Sequence, residues 1–230
     1  MSHSPPATAW RKAPERGARE RFIRQNAEIV SPALIPEIRL HLATESVPLW
    51  QKTEEELGAL GLPPPFWAFA WAGGQGLARY ILDHRRIVRQ RSIIDLAAGS
   101  GLVAIAAAIA GADAVTAADI DEFARAAMKI NFALNDVSIT ITGDDLLQAP
   151  APHCDVILVG DLFYERTLAE RTFAWLRRAE REGIEVLIGD PGRSYLPMDR
   201  LVRIAEYSVP VTRDLEDAEL KRSAVWQLKR

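Results

Sequence analysis

Cysteine is nearly absent: Cys154 stands alone in 230 residues. That excludes an intrachain disulfide, and the four scattered histidines offer no zinc-ligand spacing beside it, so no metal site is expected. A reducing, cytoplasmic setting is the expectation. Long apolar runs are missing too. No stretch reaches the roughly 18 residues of a membrane span, and Met1 to Phe22 lacks the apolar centre of a secretory signal. Positive charge is not in excess: 28 Lys and Arg stand against 31 Asp and Glu, for a formal net charge of −3. Nucleic acid and membrane surfaces, which call for clustered cations, are therefore not expected partners. There is no internal repeat. A chain of this length suits one sizeable α/β domain that buries its core without staples.

What is present begins with a proline-containing tail over residues 1–15. An amphipathic helix is expected over Arg16 to Ile29, closed by Ser31-Pro32. Glu37 to Ala43 alternates polar and apolar residues like an edge strand. Residues 1–62 read as an N-terminal arm, and the Pro63-Pro64-Pro65 break opens a second region, 63–230. Strands and helices then alternate, the pattern of a parallel sheet with crossover helices. The expected order is helix 74–85, strand 92–97, helix from Leu102, strand 114–118, helix 122–134, strands 139–142 and 155–159, helix 167–182 and strand 185–189. A helix near Met198 to Ile204 and two antiparallel strands near 206–212 and 223–228 complete it. The fold class is a Rossmann-like α/β fold: a seven-stranded, mostly parallel sheet, helices on both faces, and an antiparallel C-terminal strand pair.

A strand, a glycine loop, a helix, and an acid ending the next strand form a nucleotide-binding layout. Here the loop is Asp95-Leu-Ala-Ala-Gly-Ser-Gly101, and Asp119 follows Gly99 by 20 residues. Ala97 and Ala98 stand where a dinucleotide loop usually has glycine. Acids recur at strand ends, as Asp95, Asp119, Asp144 with Asp145, and Asp161, with no neighbouring Lys or Arg in the sequence. Such a pocket repels a pyrophosphate and suits the cationic S-adenosylmethionine. Asp95 would face its amino end, Gly99 and Gly101 would admit it to the backbone, Asp119 would take the ribose diol, and Asp144 or Asp145 would lie beside the adenine. Any one of these acids alone is equally explained as a helix cap.

Ile94-Asp-Leu-Ala-Ala-Gly-Ser-Gly101 resembles the first motif of seven-β-strand methyltransferases, and Asp161-Leu-Phe-Tyr164 resembles the Asp-x-x-Tyr box of their lysine-methylating branch. With Pro65-Phe-Trp-Ala-Phe-Ala-Trp-Ala-Gly-Gly-Gln75 and Leu187-Ile-Gly-Asp-Pro-Gly-Arg193, the chain is similar to the electron transfer flavoprotein β-subunit lysine methyltransferases from about Pro63 to Trp226. Ala72 replaces an expected Pro, and Ala97 a frequent Gly. The resemblance implies that Trp71 and Gly160 border S-adenosylmethionine, with Ala97 in the same loop. It implies a protein substrate, the β subunit of electron transfer flavoprotein or another bacterial protein such as a ribosomal protein. Trp67, four residues before Trp71, is equally read as core.

Methyl transfer from a sulfonium is an in-line displacement in which the enzyme positions and desolvates the nucleophile. Asp161 and Tyr164, three apart after a strand, would hydrogen-bond the lysine amine and fix its lone pair. A carboxylate also raises an amine's pKa, so orientation rather than general-base chemistry is assigned to Asp161. A small-molecule amine methyltransferase, a non-catalytic binding module and an NAD-linked oxidoreductase remain as alternatives. The oligomeric state is left open.

Overall fold

Ser92-Ile-Ile-Asp-Leu96 and Val156-Ile-Leu-Val-Gly160 are mainly apolar, as strands covered on both faces are. In the computed structural model, which describes residues 17–44, 64–210 and 220–229, they lie side by side at the centre of a sheet. The tail expected over residues 1–15, residues 45–62 of the arm, and residues 211–212 of the penultimate strand fall outside the described residues, as does the proposed boundary at 62/63.

The main elements are helix α1 (Ala18–Gln25), strands β1 (Glu28–Val30) and β2 (Leu40–Leu42), α2 (Ala72–Asp83), β3 (Ser92–Leu96), α3 (Leu102–Ile109), β4 (Ala114–Ala118), α4 (Glu122–Leu134), β5 (Thr140–Thr142), β6 (Val156–Gly160), α5 (Arg166–Arg181), β7 (Glu185–Asp190), β8 (Leu201–Pro210) and β9 (Leu220–Leu228). Seven strands form one sheet in the order β5-β4-β3-β6-β7-β9-β8. The first five are parallel, and β9 runs antiparallel between β7 and β8. The fold class read from the sequence is the one observed. From β3 the chain crosses to β4 on one side and later to β6 on the other, which opens a crevice at the carboxyl ends of these strands.

Alternation along each strand separates two apolar layers. Ile93, Val115, Ala117, Val156, Leu158 and Leu187 face α2, α3 and the Met128–Phe132 side of α4. Ile94, Leu96, Ile157, Val159, Val186 and Ile188 face α5. The described part of the arm joins the first layer through Ile35, Ile38, Leu40 and Leu42. Its strand β2 is tied further by buried His41, whose backbone N–H donates to Asn131 Oδ1 at 2.9 Å. Asn131 Nδ2 in turn donates to the carbonyl of Ser100 at 2.9 Å, so the arm bears on the glycine loop through one side chain.

Two local expectations change. The first helix ends at Gln25, because Glu28–Val30 pairs antiparallel with Leu40–Leu42 in a small separate sheet. The helix expected near Met198 to Ile204 is a single 3-10 turn, Met198–Arg200, and β8 starts at once with Leu201. Residues 201–210 find a full-length antiparallel partner in β9, with a register shift between Arg203 and Ala205. That ladder, invisible to local periodicity, overrides the helical pattern.

Helix α2 lies across the ends of β6 and β7 at backbone contact distance. A Cβ placed on Gly160 would meet Gly74 Cα at 3.1 Å, and one placed on Gly189 would collide with the carbonyl of Gly73. Gly189→Ala should therefore cost about 3 kcal/mol in urea denaturation; an unchanged midpoint would mean that α2 moves away freely.

Candidate active site

Each strand in the centre of the sheet ends in a turn that presents polar groups upward. After β3 the chain turns through Ala97 at φ 54° and Gly99 at φ 53° before α3 begins. The left-handed region disfavours a Cβ, which is why glycine is the usual residue in such a turn and why Ala97 is strained. A Cβ at Gly99 would approach only Trp67 Cα at 4.0 Å, so its freedom leaves open space above the loop. Gly101, at φ 82°, packs against Phe132 and Met128 and serves the α3 start instead.

Above these turns is a cavity of about 460 Å³ lined by Trp71, Ala97, Gly99, Asp119, Asp144, Asp145, Gly160, Asp161 and Tyr164. Nine of the eleven site residues named from the sequence thus share one wall; Asp95 and Gly101 are not among the lining residues. A wider groove of about 850 Å³ lies between α5 and the start of β8, lined by arginines, but it contains none of the motif residues. The smaller cavity is the candidate site because the strand ends converge there.

Asp119 pins the loop: its Oδ2 accepts from the N–H of Gly99 and its Oδ1 from the N–H of Asp121, both at 2.9 Å. Burial pushes its carboxyl up, against the pull of those two N–H groups. Asp95 is only 1% exposed, beneath the loop, where its Oδ2 accepts from the Ala104 N–H at 2.9 Å. Burial drives its pKa up to about 8 despite that bond. Asp144 accepts from the Thr142 hydroxyl at 2.6 Å. Asp145 is held low in pKa, chiefly by the Gln148 side chain and then by Arg171.

Asp161, in the left-handed region at φ 56°, is the junction of three elements. Its Oδ2 accepts from the Gly74 N–H of α2 at 2.6 Å, and its Oδ1 pairs with Arg193 Nη2 at 2.8 Å. Helix α2 has no side-chain cap of its own from Trp71, so Asp161 supplies the missing acceptor from another strand. Burial raises its pKa, while Arg193 and the α2 N–H groups pull it down. Tyr164 is 47% exposed, its ring centroid 5.6 Å from that of Phe66. Phe66 in turn contacts Trp71, whose indole N–H donates to the Phe66 carbonyl at 2.9 Å. These rings form an aromatic rim. Trp67 is buried and stacked on Phe123, in keeping with its core reading.

Sequence reasoning missed several lining residues. Phe66 sits inside a quoted motif, and Ile120, 69% exposed, directly follows the ribose candidate Asp119, so position alone was a signal for both. Leu146, Leu147 and Leu168 add apolar surface. Arg171 and Arg193 bring cations to acids that have none nearby in sequence, and both are spent on ion pairs with Asp145 and Asp161. Among the described residues no group of His, Cys, Asp and Glu could hold a metal, and no helix is long and apolar enough to cross a membrane. Cys154 is buried and its thiol is pushed up to about 11.

The model of the ribosomal protein L11 methyltransferase (PrmA) family matches residues 78–161. The chain is 38% identical over 213 residues to the electron transfer flavoprotein beta subunit lysine methyltransferase of Danio rerio, across 90% of this chain and 81% of that protein. The Xenopus laevis protein of the same name is 38% identical over 214 residues, across 90% and 86%. The chain belongs to the electron transfer flavoprotein beta subunit lysine methyltransferase family. The crystal structure of a ribosomal protein L11 methylase from Lactobacillus delbrueckii subsp. bulgaricus has a TM-score of 0.51 at 22% identity, covering 70% of this chain and 81% of that one, a likeness of fold.

Two predictions follow from this methyltransferase's cavity. Replacing Asp119 with Ala frees the Gly99 N–H and removes a charged acceptor, so calorimetric affinity for an adenosine-bearing ligand should fall at least about tenfold. Unchanged affinity would remove Asp119 from the binding surface. The second concerns Asp95, whose folded pKa of about 8 lies above the unfolded value of about 3.9. The folded state then holds the proton more tightly, and the associated stability, complete below about pH 4, is lost as pH rises through about 8. Between pH 5 and pH 8 the native protein should lose stability relative to Asp95→Asn in urea titrations, by up to about 1.4 kcal/mol per pH unit. Parallel curves would mean that Asp95 stays ionised in the fold.

Proposed function

We propose that this methyltransferase transfers methyl groups from S-adenosylmethionine to lysine side chains of the electron transfer flavoprotein β subunit. The observation that carries the reading is the convergence of the Asp161-Leu-Phe-Tyr164 box with the glycine loop and Asp119 on one cavity. The activity for which the relatives are named, at 38% identity over nine-tenths of the chain, points to the substrate.

The cavity's own residues fit the cofactor. Asp119 ends β4 with a carboxylate facing the open space over Gly99, suited to a ribose diol. Ile120, Leu146 and Leu147 offer apolar surface for a base, with Asp144 and Asp145 at its edge. The acid-rich lining, whose two arginines are already paired, suits a ligand with cationic groups and no phosphate. When bound, S-adenosylmethionine supplies the electrophilic methyl group. The protein's part is to admit a lysine along the rim of Phe66, Trp71 and Tyr164, to shed its water, and to hold the amine in line. The Tyr164 hydroxyl stays protonated, since burial raises its pKa, and is a neutral hydrogen-bond partner for that amine. Tyr164 and Phe66 are both substantially exposed, as an approach for a protein-borne side chain requires; a small-molecule enzyme would close this rim.

Incubation with tritiated S-adenosylmethionine and purified electron transfer flavoprotein should label the β subunit. Asp161→Ala should lower turnover by at least about a hundredfold while cofactor affinity stays within a few fold. Label found only in low-mass compounds would overturn the protein-substrate reading, and loss of cofactor binding would move Asp161 into the cofactor site.

A further inference from the structure

We propose that Arg193 is a positioning residue for methyl transfer: by neutralising Asp161 it lets the arriving lysine ammonium give up its proton instead of being held as an ion pair. This rests on the lysine-methylating reading above.

The turn Asp190-Pro-Gly-Arg193 is built to aim this side chain. Asp190 Oδ1 accepts from the N–H of Gly192 at 2.8 Å and of Arg193 at 2.7 Å, which locks the backbone. The guanidinium then lies 5.6 Å over the Trp71 ring and 2.8 Å from Asp161, on the cavity wall shared with Tyr164. Four carboxyls face this corner: Asp161 after β6, Asp190 at the end of β7, and Asp119 and Glu165, which act on Tyr164 from the end of β4 and the start of α5. Arg193 is the cation set among them, since Arg171 is paired with Asp145.

A free lysine amine has a pKa of about 10.4, so about one molecule in a thousand is neutral near pH 7.4. An unbalanced carboxylate would raise that value further, whereas a neighbouring cation lowers it. With Asp161 paired to Arg193 and bonded by the α2 N–H, the amine meets a carboxylate that still accepts a hydrogen bond but whose own charge is balanced. The ammonium proton leaves to solvent first. The nitrogen lone pair then forms the new C–N bond as the methyl–sulfur bond breaks, its electron pair remaining on sulfur, and the product is a methylated ammonium.

The test compares native protein with Arg193→Gln, using the electron transfer flavoprotein β subunit as substrate. The acidic limb of the kcat profile should move up by about one pH unit, which is about tenfold in rate at a fixed pH on that limb. KM should fall together with kcat, because the ammonium form now binds well and reacts poorly. Independently of turnover, calorimetry in the presence of S-adenosylhomocysteine should show the variant binding the β subunit more tightly near neutral pH. In Asp161→Asn/Arg193→Gln, which removes both charges, affinity should return to the native value. An unmoved limb, unchanged substrate affinity, or a double variant that binds like the single one would overturn the proposal. Failure of the underlying reading is visible separately, as the absence of label in the β subunit with native protein at every pH.

Discussion

The Asp161 carboxylate is the constraint around which the rest of the site is arranged. One oxygen caps the uncapped start of α2, the other holds Arg193 from the turn after β7, and the residue itself follows β6. Three elements far apart in the chain are fixed to one buried group. The fit also depends on glycine at 73, 160 and 189, because only bare backbone allows α2 to approach the strand ends closely enough for its amides to reach that carboxylate. Removing the anion would leave a partly buried arginine and open helix amides without an acceptor, which is why a site of this kind is both structural and chemical.

The glycine-loop side of the cavity follows a different logic. There the loop after β3 is held by an acid from the next strand: Asp119 accepts the Gly99 N–H and also helps start α4 through Asp121. The arm adds support from outside, since His41, Asn131 and the Ser100 carbonyl form one buried hydrogen-bonded line to the loop. The rim of Phe66, Trp71 and Tyr164 joins the two halves, with Arg193 stacked against it. Under the proposed function, cofactor binding on one side and lysine chemistry on the other would share a wall, with the aromatic rings between them as the entry for a side chain.

Much of this was legible in the sequence because it is local. Strands covered on both faces are mainly apolar, so 92–96, 114–118 and 156–160 announced themselves, and α4 ran over the 122–134 read for it. The acids at strand ends could be found because the topology sends those ends to one edge. The segment 198–204 misled because its apolar spacing also satisfies a strand, and the choice was made by β9, more than 15 residues away in the chain.

The amino-acid sequence by itself determined the order of strands and helices from α2 to β7, the glycine loop and the candidate residues, since each depends on neighbours within one turn or one strand. Only the tertiary structure decided which charges meet. Arg171 lies 26 residues from Asp145 and Arg193 lies 32 from Asp161, separations that carry no signal in a linear chain. Likewise, burial rather than residue type raises the pKa of Asp95 and Asp119, because the dielectric around a carboxyl is set by what packs over it.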